Sequence, residues 1–106
     1  MNIVPMPDQG GVLALNVFTV RPADQQSLID CIRDAGDPAD VPGLLSMHLL
    51  RSLDGTQVIN FMCWTSEDAL KRATADHPVI KETRKRVSGL VQRAAPNLYE
   101  IISVSR

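Results

Sequence analysis

From Gly11 to Val20 apolar side chains occupy both alternating faces of the chain. Leu13, Leu15 and Val17 fall on one side, while Val12, Ala14 and Phe18 flank Asn16 on the other. That β-branched and aromatic run predicts a strand. Residues 1–10, with Pro5, Pro7 and the Gly10-Gly11 pair, read as a loosely structured lead-in. Pro22 suits the first turn of a helix whose apolar stripe is Leu28, Ile29, Ile32 and Ala35, with Gly36 as its stop. The turn-rich stretch Asp37 to Gly43 leads into an extended segment, Leu44 to Arg51, which Asp54-Gly55 folds back onto an opposing strand, Gln57 to Trp64. Thr65 is placed to cap the next helix in a capping box with Asp68, and Ala69, Leu70 and Ala73 form that helix's apolar face. Pro78 interrupts it and starts another, in which Ile80, Thr83, Arg84, Val87 and Val91 recur at helical spacing. Pro96-Asn97 then introduces a last strand, Leu98 to Val104.

Strand, helix, strand, strand, interrupted helix, strand is the order of an α+β, ferredoxin-like β-α-β-β-α-β fold, an antiparallel four-stranded sheet with its helices on one face. Helices cover only that face. On the other, Ile59, Phe61 and Cys63 join Leu13, Leu15 and Val17, so a second apolar surface needs cover. A second copy packed sheet to sheet supplies it, which predicts a homodimer with Leu13, Leu15, Ile59 and Phe61 in the interface. A chain of 106 residues holds one core, and residues 1–106 are expected to form a single domain.

Eleven Lys and Arg against twelve Asp and Glu leave a net charge of -1, with no general attraction for a phosphate backbone. Nucleic acid is therefore not expected as a partner. Apolar runs such as Val12 to Leu15 fall far short of the roughly 20 residues that span a bilayer, which predicts a soluble, cytoplasmic protein without membrane attachment. Cys31 and Cys63 form no CxxC pair and are read as reduced structural thiols. His48 and His77 lack metal-ligand spacing, and no dinucleotide or phosphate loop is present. No metal and no cofactor is expected.

Candidate chemistry centres on Asn60 and Trp64, four residues apart on one strand face with Met62 between them. Asn16 belongs to the matching mixed face of the first strand. A cavity between sheet and helices would offer two amides and an indole N–H to the oxygens of a flat organic ligand, against an otherwise apolar lining that includes Phe18 and Met62. Trp64 equally suits simple core packing, whereas a mid-strand amide at Asn60 needs hydrogen bonds of its own. Arg84, beside the apolar stripe of the interrupted helix, either reaches a ligand oxygen or belongs to the solvated face Lys81 to Arg86. His48 can act as a base only if its strand face turns inward, and His77 beside Pro78 reads as an exposed turn residue.

The blocks Pro42 to Ser46, Ser52 to Thr56 and Val58 to Ala69 resemble the antibiotic biosynthesis monooxygenase domain family, whose fold is a dimeric α/β barrel, over Gly11 to Val104. Within it, the Asn60 and Trp64 spacing is similar to that of polyketide anthrone oxygenases that work without cofactor. The resemblance implies catalytic roles for Asn60, Trp64 and Asn16. It also implies substrate contact at Arg84, and at Leu50 and Leu70, which stand where a relative carries a histidine and a tyrosine. Haem-degrading members use a helical tryptophan and histidine, and Ala73 and Thr83 stand at those places here. The expected reaction is oxidation by molecular oxygen of an anthrone-like aromatic polyketide intermediate to its quinone. Asn60 would bind or polarise the carbonyl oxygen, Trp64 would position the rings and hydrogen-bond the developing peroxide, and Asn16 would orient other oxygens. The alternatives are a polyketide cyclase or non-catalytic aromatic-ligand-binding protein, and a structural or stress-related dimeric domain.

Overall fold

The computed structural model describes residues 11–36 and 38–103; the lead-in expected over residues 1–10 and the strand end expected at Val104 lie outside them. Strand β1 (Val12–Thr19) passes through a 3₁₀ turn at Pro22–Asp24 into helix α1 (Gln25–Arg33). Strands β2 (Leu44–Arg51) and β3 (Gln57–Trp64) form the hairpin, helices α2 (Glu67–Asp76) and α3 (Pro78–Ser88) follow, and β4 (Arg93–Tyr99) closes the sheet. All pairings are antiparallel, in the order β2-β3-β1-β4, so the fold is α+β and ferredoxin-like. Among the described residues no helix is long and apolar enough to cross a membrane.

Four details depart from expectation. The α1 stripe ends at Arg33, leaving Ala35 in a turn. Ser66, not Thr65, caps α2: its hydroxyl accepts from the Ala69 amide at 3.0 Å, while the Thr65 amide still donates to Gly43 as an extension of the sheet. His77 is half-buried, its amide donating to Ala73 and its carbonyl accepting from Lys81, so it joins α2 to α3 and is no exposed turn. Strand β4 runs straight through Pro96 instead of starting after it. As an edge strand it has one row of backbone groups with no neighbour, so a missing N–H need not break the ladder.

Alternation divides the sheet cleanly. Val12, Ala14, Asn16 and Phe18 pair with Trp64, Met62, Asn60 and Val58 on the helix-covered face. A register irregularity between Leu44 and Ser46 places Leu44, Met47 and Leu49 on that same face and turns Ser46, His48 and Leu50 away from it. The core under the helices has two parts. Phe18, Val20, Leu28, Ile32, Val58 and Val87 pack beneath α1 and α3, and Ala14, Val41, Trp64 and Ala73 pack beneath α2. Gly43 permits the second: its φ is +86°, and a Cβ there would lie 2.5 Å from the Ala69 Cβ. Gln25 fastens α1 to the hairpin by donating to the carbonyls of Ser52 at 3.1 Å and Gln57 at 3.0 Å.

Candidate active site

Between the two core clusters the helices stand off the sheet and leave a cavity of about 700 Å³, within the range of small-molecule sites. Its floor is the middle of β1 and β3 with Met47 and Leu44 of β2; its roof is Leu70, Lys71 and Thr74 of α2 and Ile80, Thr83 and Arg84 of α3. Ala94, Pro96 and Leu98 of β4, all exposed, also line it, so it opens along that sheet edge.

Asn16 and Asn60 are opposite partners in the β1–β3 register, and both line the cavity. The side-chain oxygen of each is buried and has no hydrogen-bond partner among the described residues. Burying an unpaired amide oxygen costs about 1–3 kcal/mol, and here two such groups stand side by side in an apolar wall. The neighbouring hydroxyls already donate their protons within their own helices. Thr74 donates to the carbonyls of Leu70 at 3.0 Å and Lys71 at 3.1 Å, Thr83 to Val79 at 2.7 Å, and Ser88 to Lys85 at 2.7 Å.

The charges in the lining have one sign. Lys71 and Arg84 line the cavity, and no Asp or Glu does among the described residues. Lys71 is held by Glu67 at 3.2 Å, one helical turn earlier, whereas Arg84 makes no ion pair or hydrogen bond among the described residues. A cation beside a weakly acidic ligand favours the ligand's ionised form. Among the described residues no histidine lines the cavity either.

Of the residues singled out from the sequence, the structure brings Asn16, Asn60, Phe18, Met62, Leu70 and Arg84 together in this lining. Two stand elsewhere. Leu50 pairs with Ile59 on the helix-free face, where it is half exposed, because strand alternation gives the cavity Leu49's side of β2 instead. Trp64 shares the cavity face but is 0 % exposed, sealed among Ala14, Val41 and Ala73 with Met62 and Leu70 packed against that cluster, and its indole N–H has no partner among the described residues. It therefore backs the wall without forming part of it. His48 points away from the cavity and meets Phe61 edge-on, with ring centroids 5.9 Å apart. Sequence reasoning missed Met47, Lys71 and the β4 residues. Met47 alternates with Leu49 and Lys71 follows Leu70 on the helix, which are the patterns that would have shown the first two.

A conserved-domain model for antibiotic biosynthesis monooxygenases matches residues 11–86, and the chain belongs to that family. It is an enzyme of the monooxygenase class. Among solved structures it is similar to a mutant form of SnoaB, a cofactor-independent oxygenase from Streptomyces nogalater, with 28% identity over 90% of this chain and 96% of that one and a TM-score of 0.73. It is also similar to the monooxygenase ActVA-Orf6 of Streptomyces coelicolor in complex with nanaomycin D, with 26% identity, 92% and 93% coverage and a TM-score of 0.80. Rv0793 from Mycobacterium tuberculosis shares the fold at 22% identity, with 91% and 99% coverage and a TM-score of 0.77. No curated protein matches the chain at a significant level.

Proposed function

We propose that the protein oxidises an anthrone-like aromatic polyketide intermediate to its quinone with molecular oxygen and without a cofactor. The observation that carries this reading is the pair of unpartnered amide oxygens of Asn16 and Asn60, acceptors suited to phenolic O–H groups, in a cavity whose charges among the described residues are cationic only. The likeness to SnoaB, described as a cofactor-independent oxygenase, and to ActVA-Orf6, which holds nanaomycin D, supports it.

The chemistry asks little of the protein beyond binding and electrostatics. The substrate's ring methylene loses a proton to solvent or a bound water, giving an enolate whose negative charge Arg84 and an amide N–H of Asn60 stabilise. The enolate gives one electron to oxygen, the resulting radical pair combines at the ring carbon, and protonation yields a ring hydroperoxide. Loss of water, which takes the remaining C–H hydrogen and breaks the O–O bond, leaves the quinone carbonyl. One oxygen atom is thus kept and the other leaves as water. Asn16 orients the oxygens of the neighbouring ring, Phe18, Met62 and Leu70 enclose the ring system, and Trp64 acts as a positioning residue behind Met62 and Leu70. Incubating the chain with anthrones under air and under nitrogen tests this: oxygen uptake matching quinone formation is expected, and binding without oxygen uptake would instead favour a ligand-binding protein or cyclase.

The assembly belongs to the same proposal. Leu13, Leu15, Ile59 and Phe61 share the helix-free face with His48 and the half-exposed Leu50, and a second copy against that face completes a dimeric barrel. Sedimentation should give a dimer at micromolar concentration; a compact monomer would sink this part.

A further inference from the structure

The cavity floor also carries two sulfurs. Met47 and Met62 are direct partners in the β2–β3 register, both half-buried and both in the lining. Met62 lies two residues from Asn60 on the same pleat, about 7 Å along the strand, and cross-strand partners hold their side chains about 5 Å apart at Cβ. Among the lining residues there is no Cys, His, Trp or Tyr, so these thioethers are the readily oxidised groups of the chamber. The other candidates are out of reach. Cys63 faces the opposite side of the sheet, Cys31 is packed in the core with Phe18 and Val58, and Trp64 is sealed behind the wall.

From this placement we infer that Met47 and Met62 form a peroxide trap, a site of oxidative modification within the reaction chamber. The inference rests on the oxygenase reading for its oxidant, the ring hydroperoxide. A sulfur lone pair attacks the distal peroxide oxygen and the O–O bond breaks. The electron pair leaves with the ring-bound oxygen, which takes a proton and becomes a carbinol. The thioether is oxidised by two electrons to methionine sulfoxide and the hydroperoxide is reduced by two, so no further reductant is needed. A hydroperoxide that lingers is diverted from quinone to carbinol, and the new S=O group puts a polar oxygen into an apolar wall, weakening later substrate binding.

Two experiments on the full chain test the trap. In the first, the protein turns over an anthrone under air with and without catalase; in the second, it meets cumene hydroperoxide with no substrate, with and without a hydroxyanthraquinone to fill the cavity. Peptide mass spectrometry reads oxygen addition at Met47 and Met62 against Met1 and Met6. Turnover is expected to oxidise the pair several-fold more than Met1 and Met6 regardless of catalase, and the hydroxyanthraquinone is expected to suppress its oxidation by cumene hydroperoxide. Quinone formation with both methionines unmodified, modification that catalase abolishes, or oxidation that the hydroxyanthraquinone leaves untouched would each overturn the trap. If no anthrone is consumed, the oxygenase reading fails, and the cumene hydroperoxide experiment alone still decides whether the pair captures peroxide. In a Met47→Leu, Met62→Leu variant, a near volume-conserving change, the ratio of carbinol to quinone over the first few turnovers per chain should fall, since each sulfur reacts once; an unchanged ratio there counts against the trap.

Discussion

Asn16 and Asn60 face each other across the two central strands, and each buries an amide oxygen that no group among the described residues satisfies. An amide kept for a ligand and an amide kept for the fold respond oppositely to removal. Asn60→Ala is expected to lower anthrone turnover about ten- to hundred-fold, the loss of one hydrogen bond to a charged oxygen. It should leave the unfolding temperature unchanged or slightly higher, because a desolvated, unpaired group is gone. Steady-state oxygen uptake and thermal unfolding on the same preparation check this. The Asn16→Ala, Asn60→Ala double variant should lose less than the product of the single losses if both amides hold one enolate.

Trp64 should behave differently. It is fully buried and absent from the lining, so Trp64→Ala is expected to cost about 3–5 kcal/mol of stability through the cavity it leaves. Trp64→Phe, which keeps most of the bulk, should raise KM more than it lowers kcat as Met62 and Leu70 settle. A fall in kcat at unchanged KM and unchanged unfolding temperature would show that the indole N–H reaches the reacting atoms.

Arg84 sits in the lining with no ion pair or hydrogen bond among the described residues, on an exposed stretch of α3. Removing its charge in Arg84→Gln should raise KM for phenolic substrates roughly two- to fivefold, the scale of a solvent-screened charge contact. The difference from the parent should shrink with added salt. A cation lowers the pKa of a bound phenol, so the limb of the pH–rate profile that reports substrate ionisation should move to higher pH in Arg84→Gln and stay in place in Arg84→Lys. Measured profiles for the three proteins decide it.

At the β2–β3 turn, the side chain and amide of Thr56 hold the Asp54 carboxylate at 2.7 Å and 3.0 Å and push its pKa below the ordinary 3.8, with Ser52 adding to the effect. A depressed carboxylate pKa means the folded state prefers the ionised form. Its contribution is full above the unfolded value and is lost as pH falls through the lower folded value. Asp54→Asn should therefore flatten the dependence of unfolding temperature on pH below about 4 while leaving turnover near neutrality unchanged.

The element order and the hairpin were legible in the sequence because turn residues and periodicity agreed there: Asp54-Gly55 between two apolar runs, and Pro78 between two helical stripes. Strand β4 was displaced because Pro96 reads as a strand breaker until its place at a sheet edge is known. The site was legible where polarity was anomalous, as at Asn16 and Asn60. Side chains whose role depends on the face were harder to place. In β2, Leu44, Leu45, Met47, Leu49 and Leu50 are all apolar, so alternation alone does not say which side faces in, and the irregularity after Leu44 settles it only in three dimensions. Trp64 lies on the face its spacing predicts, but whether a buried ring touches a cavity or backs its wall depends on how closely Ala14, Met62 and Leu70 pack over it.

On the proposed reading the chamber itself, with substrate and oxygen alone, completes the oxidation. The most direct test is turnover of an anthrone by chelator-treated protein, free of flavin and haem, under isotopically labelled oxygen gas. One labelled atom is expected in the new quinone carbonyl and the other in water, at a rate that Asn60→Ala reduces. Quinone carrying its new oxygen from solvent, or formation that requires added flavin, metal or reduced nicotinamide, would contradict it.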